Sequence, residues 1–430
     1  MYPVNAAESS CAGTVPLQWR RSPERSRLMI EIKGKVNTAI CYAKAVENES
    51  IEQIRRMCDY AFTENVKIRI MPDVHAGKGC TIGTTMTIID RAVPNIVGVD
   101  IGCGMYTVEL GKIDIDFEKV DEAAHFIPSG RDVWESRQER FDLTALRCYR
   151  SLKQTKRLER SLGTLGGGNH FIEIDASADG TKYLVIHSGS RNLGKQVAEL
   201  YQCLAVDLNM GKEEYFVKRE EIIRTYKEQG RKGEIQETLK AMEKEWGNKE
   251  PTIPADLCFL YGSYLEDYLH DVELCQQFAR RSREKMAEIL LDRTGMQGLS
   301  AFHTIHNYID TSERILRKGA IAAHEGELVL IPINMRDGSI LAVGRGNPDW
   351  NYSAPHGAGR VMSRAKARHT LDIAEYKKTM EGIYTTSVNE STLDEAPMAY
   401  KSLEDIIDVI NESVDVIEVL KPVYNFKASE

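Results

Sequence analysis

The sequence contains no C-x-x-C pair. Its nine cysteines, an odd number, are scattered between Cys11 and Cys275. That pattern fits a reducing compartment such as the cytoplasm better than a disulfide framework. Long apolar runs are missing as well: nothing approaches the ~20 residues of a membrane span. An excess of positive charge is absent, since 56 Lys and Arg face 64 Asp and Glu for a formal net charge of −8. Non-specific coating of nucleic acid is thereby disfavoured, although a local basic groove is not. Internal repeats and low-complexity tracts are also lacking. What is present is a 430-residue chain, 42% apolar, able to bury one large core or two ordinary ones.

Residues 1–28 look foreign to the rest of the chain. They hold no hydrophobic segment of the kind a secretory signal needs, and are expected to be a disordered extension, with the natural start at Met29. Their arginines and serines suit a transit peptide, but Glu8 and Glu24 count against it. From residue 29 to about 200 short β-branched runs alternate with glycine turns, as in "TIGTTMTIID" and "KYLVIHSGS". Between about 205 and 295 the period becomes helical and the composition highly charged, which reads as a solvated scaffold inserted into a β-rich core. Its second half predicts one long helix or two stacked ones. Strand signals return at "GELVLIPINM" and "ILAVGRG".

"PNIVGVDIGCGM" sets Asp100 and Cys103 three apart among glycines. In a straight strand they would point to opposite faces; Gly102 and Gly104 allow a left-handed turn that could make them converge. A carboxylate and a thiolate at one point repel unless a cation lies between them. Several histidines sit in similar contexts. Asn169 and His170 follow the glycines of "GTLGGGNHFIEI", His187 ends the strand "YLVIHSGSR" just before Arg191, and "FHTIHNYID" offers His303 and His306. Taken singly, each reads as a satisfied structural histidine. Taken with Asp100 and Cys103, they are the ligand types of borderline divalent metals. Ligands this dispersed suit a catalytic site better than a closed structural zinc, with two ions ~3.5–4 Å apart as one arrangement.

"SAPHGAGRVMSRAKARH" predicts a helix from Arg360, with Gly357–Gly359 as a phosphate cradle at its start. His356 beside such a cradle is placed to attack phosphorus and form a phosphoramidate. Arg360, Arg364 and Arg368 recur every fourth residue and would form one basic stripe.

"MPDVHAGKG", "VGVDIGCGM", "LGGGNHF", "HSGSRNLG", "HNY", "RKGA", "APHGAGR" and "MSR" occur in this order and together resemble the RtcB family of RNA ligases. The resemblance runs from about Met29 to the C-terminus. It implies a single α+β unit, with mixed β-sheets forming a metal-lined pocket and with helical insertions. It implies a GTP-dependent enzyme with two Mn2+ ions that joins an RNA 3′-phosphate or 2′,3′-cyclic phosphate to a 5′-hydroxyl. By that resemblance Asp100, Cys103, His170, His187 and His306 bind the metals, with Cys103 shared. His356 is the nucleophile that accepts GMP and Asp73 orients it. Asn169, His170, Glu173, His306, Asn307, Pro332, Met335, Ser339, Gly357, Ala358, Gly359, Tyr400 and Lys427 surround the nucleotide, and Arg191, Arg360 and Arg364 hold RNA phosphates. RNA is the implied partner, with room for an accessory activating protein and none for a membrane. In one place the sequence departs from the family pattern. "PINMRDGS", residues 332–339, keeps only Pro332, Met335 and Ser339 of a segment that surrounds the nucleotide in the family.

Two rival readings arise from the same residues: a dinuclear metal phosphohydrolase acting on RNA ends, and a retired ligase that only binds broken RNA. The first would use His356 as a phosphate ligand; the second has no need of a nucleophile.

Overall fold

Alternation of apolar and polar side chains makes half-buried strands, and these assemble into one twelve-stranded sheet in a computed structural model that describes residues 29–246 and 251–427. The order across the sheet is Ile30–Lys33, Thr38–Cys41, Ile68–His75, Ile82–Thr87, Ile315–Lys318, Ser300–Asp310, Cys103–Gly111, Lys182–Ser188, Phe171–Ala176, Val414–Lys427, Gly338–Gly344, Leu328–Asn334. Neighbours are antiparallel except Thr38–Cys41, which runs parallel to Ile68–His75. A mixed sheet with helices against it is the expected α+β architecture. The extension expected at residues 1–28 lies outside the described residues.

Register does most of the work of gathering the site. Four consecutive strands at the middle of the sheet set Cys103 opposite Asn307, His187 opposite Met105, and Phe171 opposite His187. Residues far apart in sequence therefore arrive at one level of the sheet. The pairing slips between Ile305 and Asn307, so His306 is the extra residue of a bulge, a device that re-aims a side chain.

The charged block contains a single 33-residue helix, Gly262–Thr294, stopped at Gly295 by a left-handed cap whose N–H donates to Leu291 O at 2.8 Å. Here the reading as solvated scaffold needs correction. Leu265, Tyr268, Val272, Cys275, Phe278, Met286 and Leu290 are buried, and the helix packs on the strands that carry Cys103, His187 and His306. Most of its charges lie on the opposite face, where Arg281 pairs with Glu139 and Glu288, but Asp271 and Arg283 are buried. Glu213–Glu228 does match the solvated reading, having no buried residue.

Leu328–Asn334 and Gly338–Gly344 form a hairpin at the sheet edge, with Pro332 opposite Ser339. The departing segment 332–339 is thus its turn. Asn334 Oδ1 accepts the N–H groups of Arg336 (3.0 Å) and Asp337 (2.9 Å), which closes the turn.

Candidate active site

Gly102 adopts φ +76, the left-handed turn foreseen for the D-x-x-C stretch, and the Cys103 N–H donates to Asp100 O at 3.2 Å. Gly104 serves another purpose: it stays in the strand, where a Cβ would lie 2.4 Å from Thr304 O. Gly189 clears the space occupied by the Asp100 carboxylate, 2.0 Å from where its Cβ would be. The glycine run before His170 bends the chain, with Gly166 and Gly168 both left-handed, so His170 escapes the alternation of the following strand.

Two groups of ligand-type side chains result, Cys103–His187–His306 and Asp100–Cys103–His170, and Cys103 belongs to both. Cys103 Sγ lies 3.3 Å from His187 Nε2 and 3.5 Å from His170 Nε2. His187 Nε2 is 3.3 Å from His306 Nε2, and His170 Nε2 is 3.0 Å from Asp100 Oδ2. Backbone carbonyls take the far side of two rings: His170 Nδ1 meets Leu165 O at 2.9 Å and His187 Nδ1 meets Asn169 O at 3.0 Å. On His187 that contact fixes Nδ1 as the protonated nitrogen and leaves Nε2 as a lone pair toward the cluster, the arrangement of a ligating histidine, whereas His170 Nε2 faces the Asp100 carboxylate and donates to it. His303 is excluded. It bonds Glu284 at 3.1 Å and stacks on Tyr106.

Burial holds His187 and His306 neutral, with pKa well below the usual range, His356 adding to the effect on His306. Burial also pushes the Cys103 thiol well up, and the Asp100 charge pushes it further. Asp100 itself resists burial, because the His170 hydrogen bond and the His170 and Arg191 charges hold its carboxyl at about 2. A donor set of thiol, imidazoles and carboxylate fits a borderline divalent cation. Metal uptake must then expel the Cys103 proton. Manganese titration in buffers of different ionisation enthalpy should show at least one proton released per chain near neutral pH, with affinity rising as pH rises. Uptake without proton release would mean that the thiol stays protonated and outside the ligand set.

Arg283, deep in the long helix and fully buried, donates to Gly102 O and Ser188 O, both at 2.7 Å. It pins the ends of the strands that carry Cys103 and His187 and was invisible in a segment read as solvated. Arg191 is left-handed, with φ +58, a strain of about 1–3 kcal/mol for a non-glycine residue. The guanidinium donates to Gly130 O at 3.1 Å and approaches His170 Nδ1 at 3.4 Å. It crosses Gly166 so closely that a Cβ there would lie 1.6 Å from Nη1. Asp100, Asn169, His170 and Arg191 line a cavity of about 550 Å³, with Arg131, Arg157 and Lys195 adding positive charge around it.

On the other side of His306, the His356 ring lies 5.0 Å away between centroids. Asp73, fully buried, accepts from His356 Nδ1 at 2.6 Å and from its backbone N–H at 3.2 Å. Nε2 is left as the free lone pair. Gly359 is left-handed, and a Cβ there would lie 2.5 Å from Asp73 O, so only glycine lets this turn approach. The expected helix at Arg360 is corrected. Arg360 bridges Tyr400 and the Val361 N–H donates to Ala399 O at 2.9 Å, holding this backbone extended. The helix starts at Arg364, capped by Ser363. The glycine turn is therefore not a helix N-terminus, and Arg360 is not on the face of Arg364 and Arg368.

All three arginines converge instead on Asp394 and Glu395, each 2% exposed. Arg364 reaches both, at 2.9 and 3.0 Å, Arg368 reaches Asp394 at 3.1 Å, and Arg360 reaches Glu395 at 3.4 Å. Glu395 also takes Lys427 at 2.5 Å and the Tyr400 hydroxyl at 2.7 Å. Two expected nucleotide contacts and two expected RNA contacts are thus tied to one carboxylate that the sequence did not single out. Burial opposes its charge, but Lys427 and Arg364 hold the Glu395 carboxyl at about 2. Unfolded, the group would titrate near 4.3. Its contribution to stability is present above that value and lost as pH falls toward about 2. Glu395→Gln should destabilise by about 3–5 kcal/mol at neutral pH, since buried cations lose their partner. Thermal midpoints measured against pH should fall less steeply below about pH 4.3 in the variant than in the parent; parallel curves would contradict the assignment.

The remaining expected contacts are dispersed around this network. Met335 is buried and accepts from the Tyr376 hydroxyl at 3.1 Å, and Ser339 is fully buried. Asn307 Oδ1 accepts the Gly319 N–H at 2.9 Å. Glu173 accepts from the Asn425 amide. Pro332 O lies 3.0 Å from where a Gly357 Cβ would be, which brings the hairpin against the glycine turn that also holds Ala358.

Among known proteins, the family described as tRNA-splicing ligase RtcB matches residues 53–143 and 132–428. The RNA-splicing ligase RtcB of Escherichia coli (strain K12) is 31% identical over 401 residues, covering 83% of this chain and 88% of that protein. The tRNA-splicing ligase RtcB of Aeropyrum pernix is 26% identical over 425 residues, covering 79% and 83%. That of Nanoarchaeum equitans is 25% identical over 429 residues, covering 80% and 84%. With a family model matched over most of its length and a relative 31% identical across 83% of it, the chain belongs to the RtcB family of RNA-splicing ligases.

Proposed function

We propose that this protein is a GTP- and manganese-dependent RNA ligase that joins RNA 3′-phosphate or 2′,3′-cyclic phosphate ends to 5′-hydroxyl ends, in RNA repair or tRNA splicing in the cytoplasm. The carrying observation is the pairing of His356 Nδ1 with buried Asp73 at 2.6 Å, beside His306 of the ligand cluster. An imidazole attacks phosphorus only through a neutral nitrogen. Asp73 holds the Nδ1 proton, orients the ring, and compensates the positive charge that develops on attack through Nε2. His356 is then the residue that carries GMP. The Gly357–Gly359 turn lets the backbone approach the nucleotide phosphates, and Tyr400, Lys427 and Glu173 surround the base and ribose.

Two manganese ions bound by Asp100, Cys103, His170, His187 and His306 would supply Lewis-acid stabilisation of charge on phosphoryl oxygens. Arg191, on the wall of the cavity beside that set, holds the phosphate of the RNA end, and Asn169 on the same wall holds the nucleotide. Arg191 is suited to the task because a guanidinium presents two parallel donors to a phosphate. Residues from 29 onward form one catalytic unit, with the helices of about 205–295 as an insertion.

A joining assay tests the reading. Two RNA pieces, one ending in a 32P-labelled 3′-phosphate and one beginning with a 5′-hydroxyl, are incubated with GTP and manganese. The label should become resistant to phosphatase as it enters the junction. A phosphohydrolase would release it, and a retired ligase would bind the RNA and leave the label unchanged.

A further inference from the structure

Glu173 and Asp175 stand two residues apart on one strand and so share a face of the sheet. Glu173 is 3% exposed and Asp175 fully buried. On the neighbouring strand Asn425 lies opposite Glu173 and donates its amide to it. Asp175 stands opposite Pro422, and one strand further Ser339 stands opposite Leu420. Asp175 is buried beside the side chains of Glu173 and Ser339, each of which counters the effect of burial on its carboxyl, and Asn425 Oδ1 is buried without a hydrogen-bond partner among the described residues. Charged and titratable neighbours are few. Lys427, on the Asn425 strand, is committed to Glu395, and Tyr183 stands opposite Asp175 on the Lys182–Ser188 strand.

Two carboxylates this close, out of water and without a cation between them, do not both ionise; the pair holds one proton. Burial raises both, and the Asp175 charge raises Glu173 further. We propose that Asp175 is a positioning residue for nucleobase selection: it accepts the Glu173 hydroxyl proton in a carboxyl–carboxylate hydrogen bond and so leaves Glu173 only acceptor capacity toward the base. The inference rests on the reading that Glu173 contacts the nucleotide. The second Glu173 oxygen already accepts from Asn425 and has one lone pair left. That lone pair suits a purine edge carrying N–H groups, as in guanine, and not the bare N1 of adenine. A second proton neutralises Asp175 and frees the Glu173 hydroxyl to turn toward the base. It then opposes the N1–H of guanine and suits N1 of adenine. Discrimination between the two bases should therefore fall with pH.

The test is equilibrium binding of GMP and AMP to the full chain across about pH 5 to 8, read as the ratio of the two affinities so that phosphate titration cancels. In the parent protein the GMP:AMP ratio should fall toward acid by up to about tenfold per pH unit. In Asp175→Asn the acid limb should shift, because Glu173 then titrates alone, raised by burial but no longer by the Asp175 charge. Asp175→Glu should restore the acid limb to its parent position. An unshifted limb in the Asn variant would overturn the proposal. So would an equal loss of both nucleotides at every pH, the signature of a purely structural residue. If neither nucleotide binds the parent at any pH, the nucleotide-site reading itself fails and the proposal falls with it.

Discussion

His356→Ala should lose all labelling by GTP and all GTP-driven joining, a drop of about 10⁴-fold or more, as expected when a nucleophile is removed. The residue sits on a surface turn, 21% exposed at its side chain, so its truncation opens no core cavity. The last step should survive. RNA supplied already activated, with guanosine attached through its 3′-phosphate, needs the metal ligands and the Asn169 and Arg191 wall, not the imidazole. Asp73→Asn should fall between the two, because an amide can hold His356 in place but cannot balance the charge that forms on it. Wild-type labelling in His356→Ala would mean that the nucleophile lies elsewhere. Loss of joining with pre-activated RNA would mean that His356 also shapes the metal site, through its contact with His306.

Cys103→Ala should abolish joining with the fold retained. Cys103 belongs to both ligand groups, so its loss removes a donor from each. Manganese affinity should fall by at least about 100-fold, beyond the 10–100-fold that loss of a residue merely supporting a ligand costs. Cys103→Ser should not rescue, since a hydroxyl in this buried position stays protonated and neutral where a thiolate would carry charge. Metal content after dialysis from manganese, with far-UV circular dichroism as the fold control, decides the matter. A serine variant with full metal and full activity would remove Cys103 from the ligand set.

The ligand-type residues that the fold brings together were more legible in the sequence than their supports. Asp100, Cys103, His170, His187 and His306 stand in glycine-rich or strand-end contexts that mark them out, and strand register explains how residues so distant meet. The choice of His306 over His303 was not readable from periodicity, because a bulge and not alternation aims His306 inward. Arg283 escaped notice because a buried arginine in a charged helix carries no local signal; only its contacts with Gly102 and Ser188 reveal it. Asp394 and Glu395 escaped for a similar reason, their partners lying on another segment. The helix expected at Arg360 failed where pairing with Ala399 and Tyr400 overrode local propensity. Pattern reading sees what a residue offers, and long-range pairing decides what it is offered to.

The central claim is that His356 carries the nucleotide, and it is tested most directly by incubating the full chain with manganese and α-32P-labelled GTP in the absence of RNA. The account predicts one labelled adduct per chain at most, stable in alkali and lost in acid as a phosphoramidate is. Peptide mass spectrometry should assign it to the peptide that bears His356. No covalent label in metal-loaded protein that still releases phosphate from RNA ends, or label mapped to any other residue, would contradict it.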